Sequence, residues 1–339
     1  MIHWEFKKIF KSKTGLLVLI MFVFIIGVMV FIKPPLETEN SYRNDKYELM
    51  VDSRSEKVIA QEKFNSKVEQ IEAMANIKGT ENFSKKMKEL SEKKLRMAKN
   101  NEYEEVSFFK VFNHRATFPL MSVVMVIILV LIFSNIYTDE RVSGVNNIIL
   151  PSKNKFKVLY SKLALAIILP IIIYGSYLGI EFLITLVQYG TPVNGELQVF
   201  RIVDYGVFLK KAYTINGYLL LKIIMMALIF VSISVFASFF SYISSNSLAS
   251  ISGTLIFLVI GKACTIIKFL PDLLLILLSK ANYVDLMFYP ERFIGMDAGE
   301  VNILGKSLDI INLCNGTLIA MLFTGVILCI VTFKKVLTK

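Results

Sequence analysis

Histidine and cysteine are nearly missing from this chain: His3 and His114, and Cys264, Cys314 and Cys329, are all it has in 339 residues. Two distant histidines offer no metal-ligand spacing and no nucleophile arrangement. No metal ligand and no catalytic residue is therefore assigned, and an enzyme active site is not supported. The cysteines all lie in apolar stretches without the spacing of a disulfide framework. Buried free thiols are expected, with a Cys264–Cys314 bond as the alternative. A nucleotide loop is lacking as well. Gly299-Glu300-Val301-Asn302-Ile303-Leu304-Gly305-Lys306-Ser307 has the look of one, but five residues separate its glycines where the phosphate motif needs four. No strand-rich domain surrounds it, so the chain is expected to bind no cofactor of its own. Charge is sparse too. Only 19% of residues are charged against 55% hydrophobic, with a mean hydropathy of +0.58, and a membrane class fits this balance where a soluble domain does not.

What is present is a set of six long apolar stretches, the first two separated by a charged insert. Stretches of 18 or more uncharged residues are long enough to cross the hydrocarbon core, and a spanning backbone must satisfy its own hydrogen bonds, so helices are expected. The reading is an all-α polytopic protein with six transmembrane helices, at 15–32, 118–136, 163–188, 218–240, from 248 to about 269, and 313–333. Residues 1–14 come first, with Trp4, Phe6 and Phe10 interleaved among Lys7, Lys8 and Lys11, the pattern of an interfacial helix anchored in lipid. Lys33-Pro34-Pro35 follows the first stretch where a signal peptide would carry small residues, so that stretch reads as an uncleaved anchor. Residues 248–279 would reach roughly 48 Å as one helix, too long for a core of roughly 30 Å and too short for two crossings. Broken by Pro271-Asp272, they read as one span followed by a re-entrant or interfacial helix before the last span.

The net charge of +11 does not point to nucleic acid. The insert, residues 33–116, holds 17 basic and 15 acidic residues; the remainder holds 21 and 12, mostly flanking the apolar stretches. Such flanking charge orients membrane helices. With both termini in the cytoplasm, eleven short-loop Lys and Arg lie inside and six outside. A multi-pass protein of the plasma membrane, with a lysine- and isoleucine-rich bacterial composition, is expected. The insert has few Gly or Pro and many Lys and Glu. Phe64, Val68, Ile71 and Met74, then Phe83, Met87 and Leu90, recur at helical spacing around a Gly79-Thr80 break, predicting an extracytoplasmic helical hairpin. It is either a packing element or a cap or docking site. Residues 117–339 form the membrane domain.

The strongest local pattern follows the second span: Thr138-Asp139-Glu140-Arg141-Val142-Ser143-Gly144, then Ile148-Ile149-Leu150-Pro151, then Lys162. An acidic–basic turn, a small residue, an apolar patch and a proline suit a short helix at the membrane surface, or an ordinary loop. This stretch resembles the cytoplasmic segment of ABC-2 type transporter permeases, at Glu140, Gly144, Ile148–Leu150, Pro151 and Lys162. The amphipathic N-terminus, the six spans and the element before the last span resemble that family too, in the subgroup with a large outer domain after the first span. The resemblance implies a permease subunit of an exporter, paired with a second permease chain as homodimer or heterodimer. A separate ABC ATPase subunit would hold ATP and Mg. Trp4, Phe6, Lys7, Phe10, Glu140, Gly144, Ile149, Leu150 and Pro151 would then contact the ATPase.

Glu181 and Lys222 stand inside the third and fourth spans. Glu181 lies roughly 27 Å along its helix, near the outer interface, with Lys222 as its expected partner. Lys262 and Lys268 fit the outer end of the fifth span, with Lys262 expected to snorkel. The substrate class is hydrophobic or amphipathic: a peptide, an antibiotic or a lipid. The alternatives are a signalling or mechanotransmitting protein acting through the outer hairpin, and an ATP-independent receptor or anchor.

Overall fold

The computed structural model describes residues 2–32, 41–76, 82–97, 102, 104–145, 155–267, 269–295, 299–303 and 306–337. The N-terminal helix α1 (Ile2–Lys11) meets α2 (Lys13–Met29) at an angle of 76°. Ser12 makes the elbow: its backbone is extended, and its hydroxyl caps α2 by accepting from Gly15 N at 2.9 Å. Gly15 is required there, because a Cβ would stand 2.0 Å from the Ile9 carbonyl oxygen.

The insert supplies a small ribbon, β1 (Ser41–Arg43) with β2 (Leu49–Val51), and two helices, α3 (Glu56–Ala75) and α4 (Asn82–Met97), packed on one another. The ribbon was not foreseen. After α5 (Ser107–Ala116) the chain breaks at Thr117-Phe118, since Pro119 pushes the residue before it to extended backbone, and α6 (Pro119–Phe133) begins. The short α7 (Thr138–Val142) follows, then the long α8 (Lys155–Tyr189), α9 (Ile215–Ile243) and α10 (Ser247–Cys264). Two short helices, α11 (Asp272–Lys280) and α12 (Tyr283–Phe288), precede the ribbon β3 (Glu300–Ile303)–β4 (Lys306–Asp309) and the last helix α13 (Ile310–Leu337). Within the stretch from Gly299 to Ser307, residues 300–303 and 306–307 are thus strand, and 304–305 lie outside the described residues.

Among the described residues five helical segments are long and apolar enough to cross a membrane, 107–142, 155–189, 215–243, 247–264 and 310–335; the bent pair α1–α2 makes a sixth if counted as one span. The fold is that of an all-α membrane protein, with α6, α8 and α9 at its centre and α10 and α13 largely outward-facing. Lipid gives apolar faces no drive to leave water, so packing and hydrogen bonds hold such helices together, at about 0.6 kcal/mol per bond. Ser134 meets Thr254 at 3.2 Å to link α6 to α10, and Ser232 meets Tyr283 at 2.5 Å to link α9 to α12. The carbonyls that Pro119 strands at the end of α5 are recovered by α8: Tyr177 donates to Arg115 O at 2.8 Å and Tyr174 to Ala116 O at 3.0 Å.

Several sequence boundaries move. Residues 107–116, assigned to the insert, belong to the bundle, with Phe108 and Phe112 edge-on to Phe182 of α8. The fifth apolar helix ends at Cys264 rather than near Phe269. Lys262 pairs with Asp285 at 2.8 Å instead of simply snorkelling, while Lys268 lies outside the described residues. Cys264, Cys314 and Cys329 are free thiols.

The stripe on α3 buries Phe64, Val68 and Ile71 against Phe200 and Val207, in two 3-10 turns (Val199–Arg201 and Asp204–Phe208) between α8 and α9. Phe64 stacks on Phe200, and the Arg201 guanidinium sits 4.0 Å from the Phe64 ring. On α4 Met87 and Leu90 are half-buried, and Ser91 and Lys94 are buried. Lys94 donates to the carbonyls of Val207 and, at 2.7 Å, Leu209. Burial pushes its ammonium down to about 8. The unfolded chain keeps that proton up to about 10.4, so between these values it binds more protons than the folded chain, and stability rises with pH. Denaturant titrations at pH 8 and at about pH 10 are expected to show greater stability at the higher pH, with the difference shrinking in Lys94→Met.

Candidate functional site

At the end of the bundle that carries α1, four charged side chains from three helices meet. Glu140 of α7 receives Lys8 of α1 at 2.7 Å and Lys162 of α8 at 2.8 Å, both on Oε1. Lys162 also reaches Glu5 of α1 at 2.8 Å and the Ile136 carbonyl at 3.0 Å. Glu5 and Lys8, three apart on a helix, present opposite charges to one side. Two cations balance two anions. Lys162 is 0% exposed and Glu140 3%. Lys8, with a half-exposed side chain, adds little, whereas a buried pair that loses one partner costs about 3–5 kcal/mol. Lys162 is therefore the centre of the bracket.

The bracket is tied onward into the bundle. Arg141 donates to the carbonyls of Ser244 and, at 3.0 Å, Tyr242, which close α9. The Ser241 hydroxyl accepts from the backbone of Tyr137 at 3.0 Å and Thr138 at 3.1 Å. Gly144, at φ +73°, ends the α7 turn in a conformation that glycine adopts without strain. α1 and α7 are thus tied to α8 directly and to α9 through Arg141.

Of the residues singled out from sequence, Trp4, Lys7 and Phe10 lie on the outward side of α1. Trp4 is 71% exposed with the Lys7 ammonium 5.4 Å from its ring. Phe6 turns inward, half-buried against the core, its ring 4.7 Å from Phe10. Glu140 does not face outward as a contact residue would; it is enclosed, and its part is to hold α1. Beside it Val142, 70% exposed, and Val145 continue the outward surface. Ile149, Leu150 and Pro151, with Ile148, lie outside the described residues. Glu5 was missed, although its opposite charge one turn before Lys8 was a readable signal.

The pairing expected at the other end is corrected. Glu181 does not meet Lys222; it lies 3.8 Å from Arg115, and both are fully buried. Arg115 donates to Ile32 O at 3.2 Å, Val30 O at 3.0 Å, Thr185 Oγ1 at 3.1 Å and Gln188 Oε1 at 2.7 Å. The carbonyls of Val30 and Ile32 follow α2, where chain termination leaves acceptors unpaired, and a cation is favoured there. Lys222 instead donates to Asn113 Oδ1 at 3.1 Å. Among the described residues no three His, Cys, Asp or Glu side chains gather as a metal site. Comparison with protein-family models, with curated proteins and with solved structures found no match.

Proposed function

We propose that this chain is the membrane-spanning permease subunit of an ATP-driven exporter of the ABC-2 type, working with a separate ATPase and a second permease chain. In this reading α2, α6, α8, α9, α10 and α13 are six spans of a bacterial plasma membrane, with α1 and both termini on the cytoplasmic side. The lysine-rich short loops support that orientation. The observation that carries the reading is the meeting of Glu140 with Lys162, the charged ends of the family-like segment, in a bracket that clamps α1. The outward surface of Trp4, Lys7, Phe10, Val142 and Val145 is the coupling surface. ATP and Mg stay on the partner. When the ATPase subunits close, α1 and α7 move with them, the buried bracket drags α8, and the permease pair changes state as rigid bodies. A hydrophobic or amphipathic substrate moves outward. The buried seat of Lys94 on residues 207–209, which links α4 to the segment before α9, favours transmission of motion to the outer helix pair as the second reading.

Affinity purification from native membranes, with mass spectrometry of the partners and an ATPase assay, tests the proposal. A nucleotide-binding subunit is expected with the wild-type chain and in reduced amount with Trp4→Ser/Phe10→Ser. A chain that comes through several mild detergents without any ATPase would favour the receptor or anchor reading instead.

A further inference from the structure

A cavity of about 680 Å³ lies between the outer helix pair and the bundle, within the size range of ligand sites. We propose that it binds an anionic amphiphile, a lipid-like molecule with a phosphate or carboxylate headgroup. Its charge is one-sided: Lys63 and Lys67 of α3, Lys110 of α5, Arg201 and Lys222 line it, against Asp204 and Glu291, an excess of three positive charges. Lys67 is committed to Asp204 at 2.8 Å and to the Phe200 carbonyl. Lys222 is different. It is 5% exposed and, among the described residues, meets only the neutral Asn113 Oδ1 at 3.1 Å and the Tyr218 ring at 5.8 Å, with no ion pair. A buried ammonium without a counter-charge in contact is costly; Glu291, also in the lining, acts on it without forming an ion pair, and an anion in the cavity would supply a contacting charge.

The rest of the lining is mixed, with Ser66, Gln70, Asn113, His114 and Thr117 beside apolar and aromatic side chains. Phe118 and Pro119 stand where α6 begins, and Tyr205 and Phe288 also face the space. Lys222 is seven residues into α9, roughly 10 Å from its start, so a cation stands at the depth of the apolar helices. Cations set beside walls such as Phe64, Phe118, Phe200 and Phe288 match a charged headgroup joined to a hydrocarbon tail better than a wholly soluble anion. The inference rests on the cavity and not on ATP-driven export: binding by the chain alone can succeed or fail whether or not an ATPase co-purifies.

The test uses the full chain in a neutral detergent and a fluorescent phosphatidylglycerol followed by anisotropy. Phosphatidylglycerol is expected to bind roughly tenfold tighter than phosphatidylcholine, and Lys222→Met to weaken it by roughly tenfold. Glycerol phosphate is expected to compete poorly. Lys63→Gln/Lys110→Gln, which leaves the buried Lys222 in place, is expected to weaken binding severalfold and decides the matter if Lys222→Met does not fold. Equal binding of the two lipids, competition by glycerol phosphate at lipid-like concentration, or wild-type affinity in a folded variant would each overturn the proposal.

Discussion

Replacing Arg115 with methionine is expected to destabilise the protein by about 3–5 kcal/mol. The change removes four hydrogen bonds that tie α2 and α8 to the end of α5, and it leaves the buried Glu181 carboxylate without a cation. The reverse substitution is expected to behave differently. Glu181→Leu takes away a carboxylate whose two oxygens accept no hydrogen bond, and Arg115 keeps all four of its neutral acceptors. Its cost is expected to be clearly smaller than that of Arg115→Met, because the guanidinium left behind stays hydrogen-bonded to four neutral acceptors and the lost carboxylate stood 3.8 Å away. Arg115→Met/Glu181→Leu should recover part of the loss of Arg115→Met. Thermal midpoints in one detergent rank the three variants. A Glu181→Leu protein as unstable as Arg115→Met would mean that the ion pair, not the guanidinium's bonds to α2 and α8, holds this end together.

At the opposite end the second large effect is expected at Lys162. Lys162→Met strips the bracket of its buried cation and leaves Glu140 dependent on Lys8, whose side chain is half in solvent. The scale is again about 3–5 kcal/mol, against about 1 kcal/mol or less for Lys8→Met. Because Lys162 is also the tie to Glu5, the loss falls on the seating of α1. Maleimide labelling of Ile9→Cys, a position half-buried under α1, reads that seating. Labelling is expected to quicken more than tenfold with Lys162→Met, since the opening of a local element scales with its free energy. Equal labelling rates with Lys8→Met and Lys162→Met would show that the bracket does not hold the helix.

The helices were legible because each apolar stretch is long and its ends are marked. Ser12 and Thr214 cap where charge gives way to apolar residues, Asn246 caps α10 after a serine pair, and Pro119 fixes the start of α6. The outer helix pair was legible from Phe64, Val68 and Ile71. Their partners, Phe200 and Val207, could not be read, being 129 or more residues away in a segment without periodicity. The bracket was half visible. Glu140 and Lys162 stood out as parts of one segment, but only folding brings Glu5 and Lys8 to them. Arg115 was hidden by its position at the end of a charged insert, where a buried cation looks like any other flanking charge. Lys222 was paired with Glu181 because both stand near the same end of neighbouring helices. Proximity along the helix axis does not say which faces meet, and α5 occupies the place where each finds its partner.

The central claim is that the surface above the bracket receives a nucleotide-binding subunit. A photo-crosslinking amino acid placed singly at Trp4, Val142 or Leu183 tests it in native membranes. Leu183 is exposed on α8 near the other end of the bundle and serves as the control. Crosslinks from Trp4 and Val142 to one ATPase subunit, absent from Leu183, are the result predicted here. Products from Leu183 but from neither of the other two, or lipid adducts alone at all three positions, would contradict it.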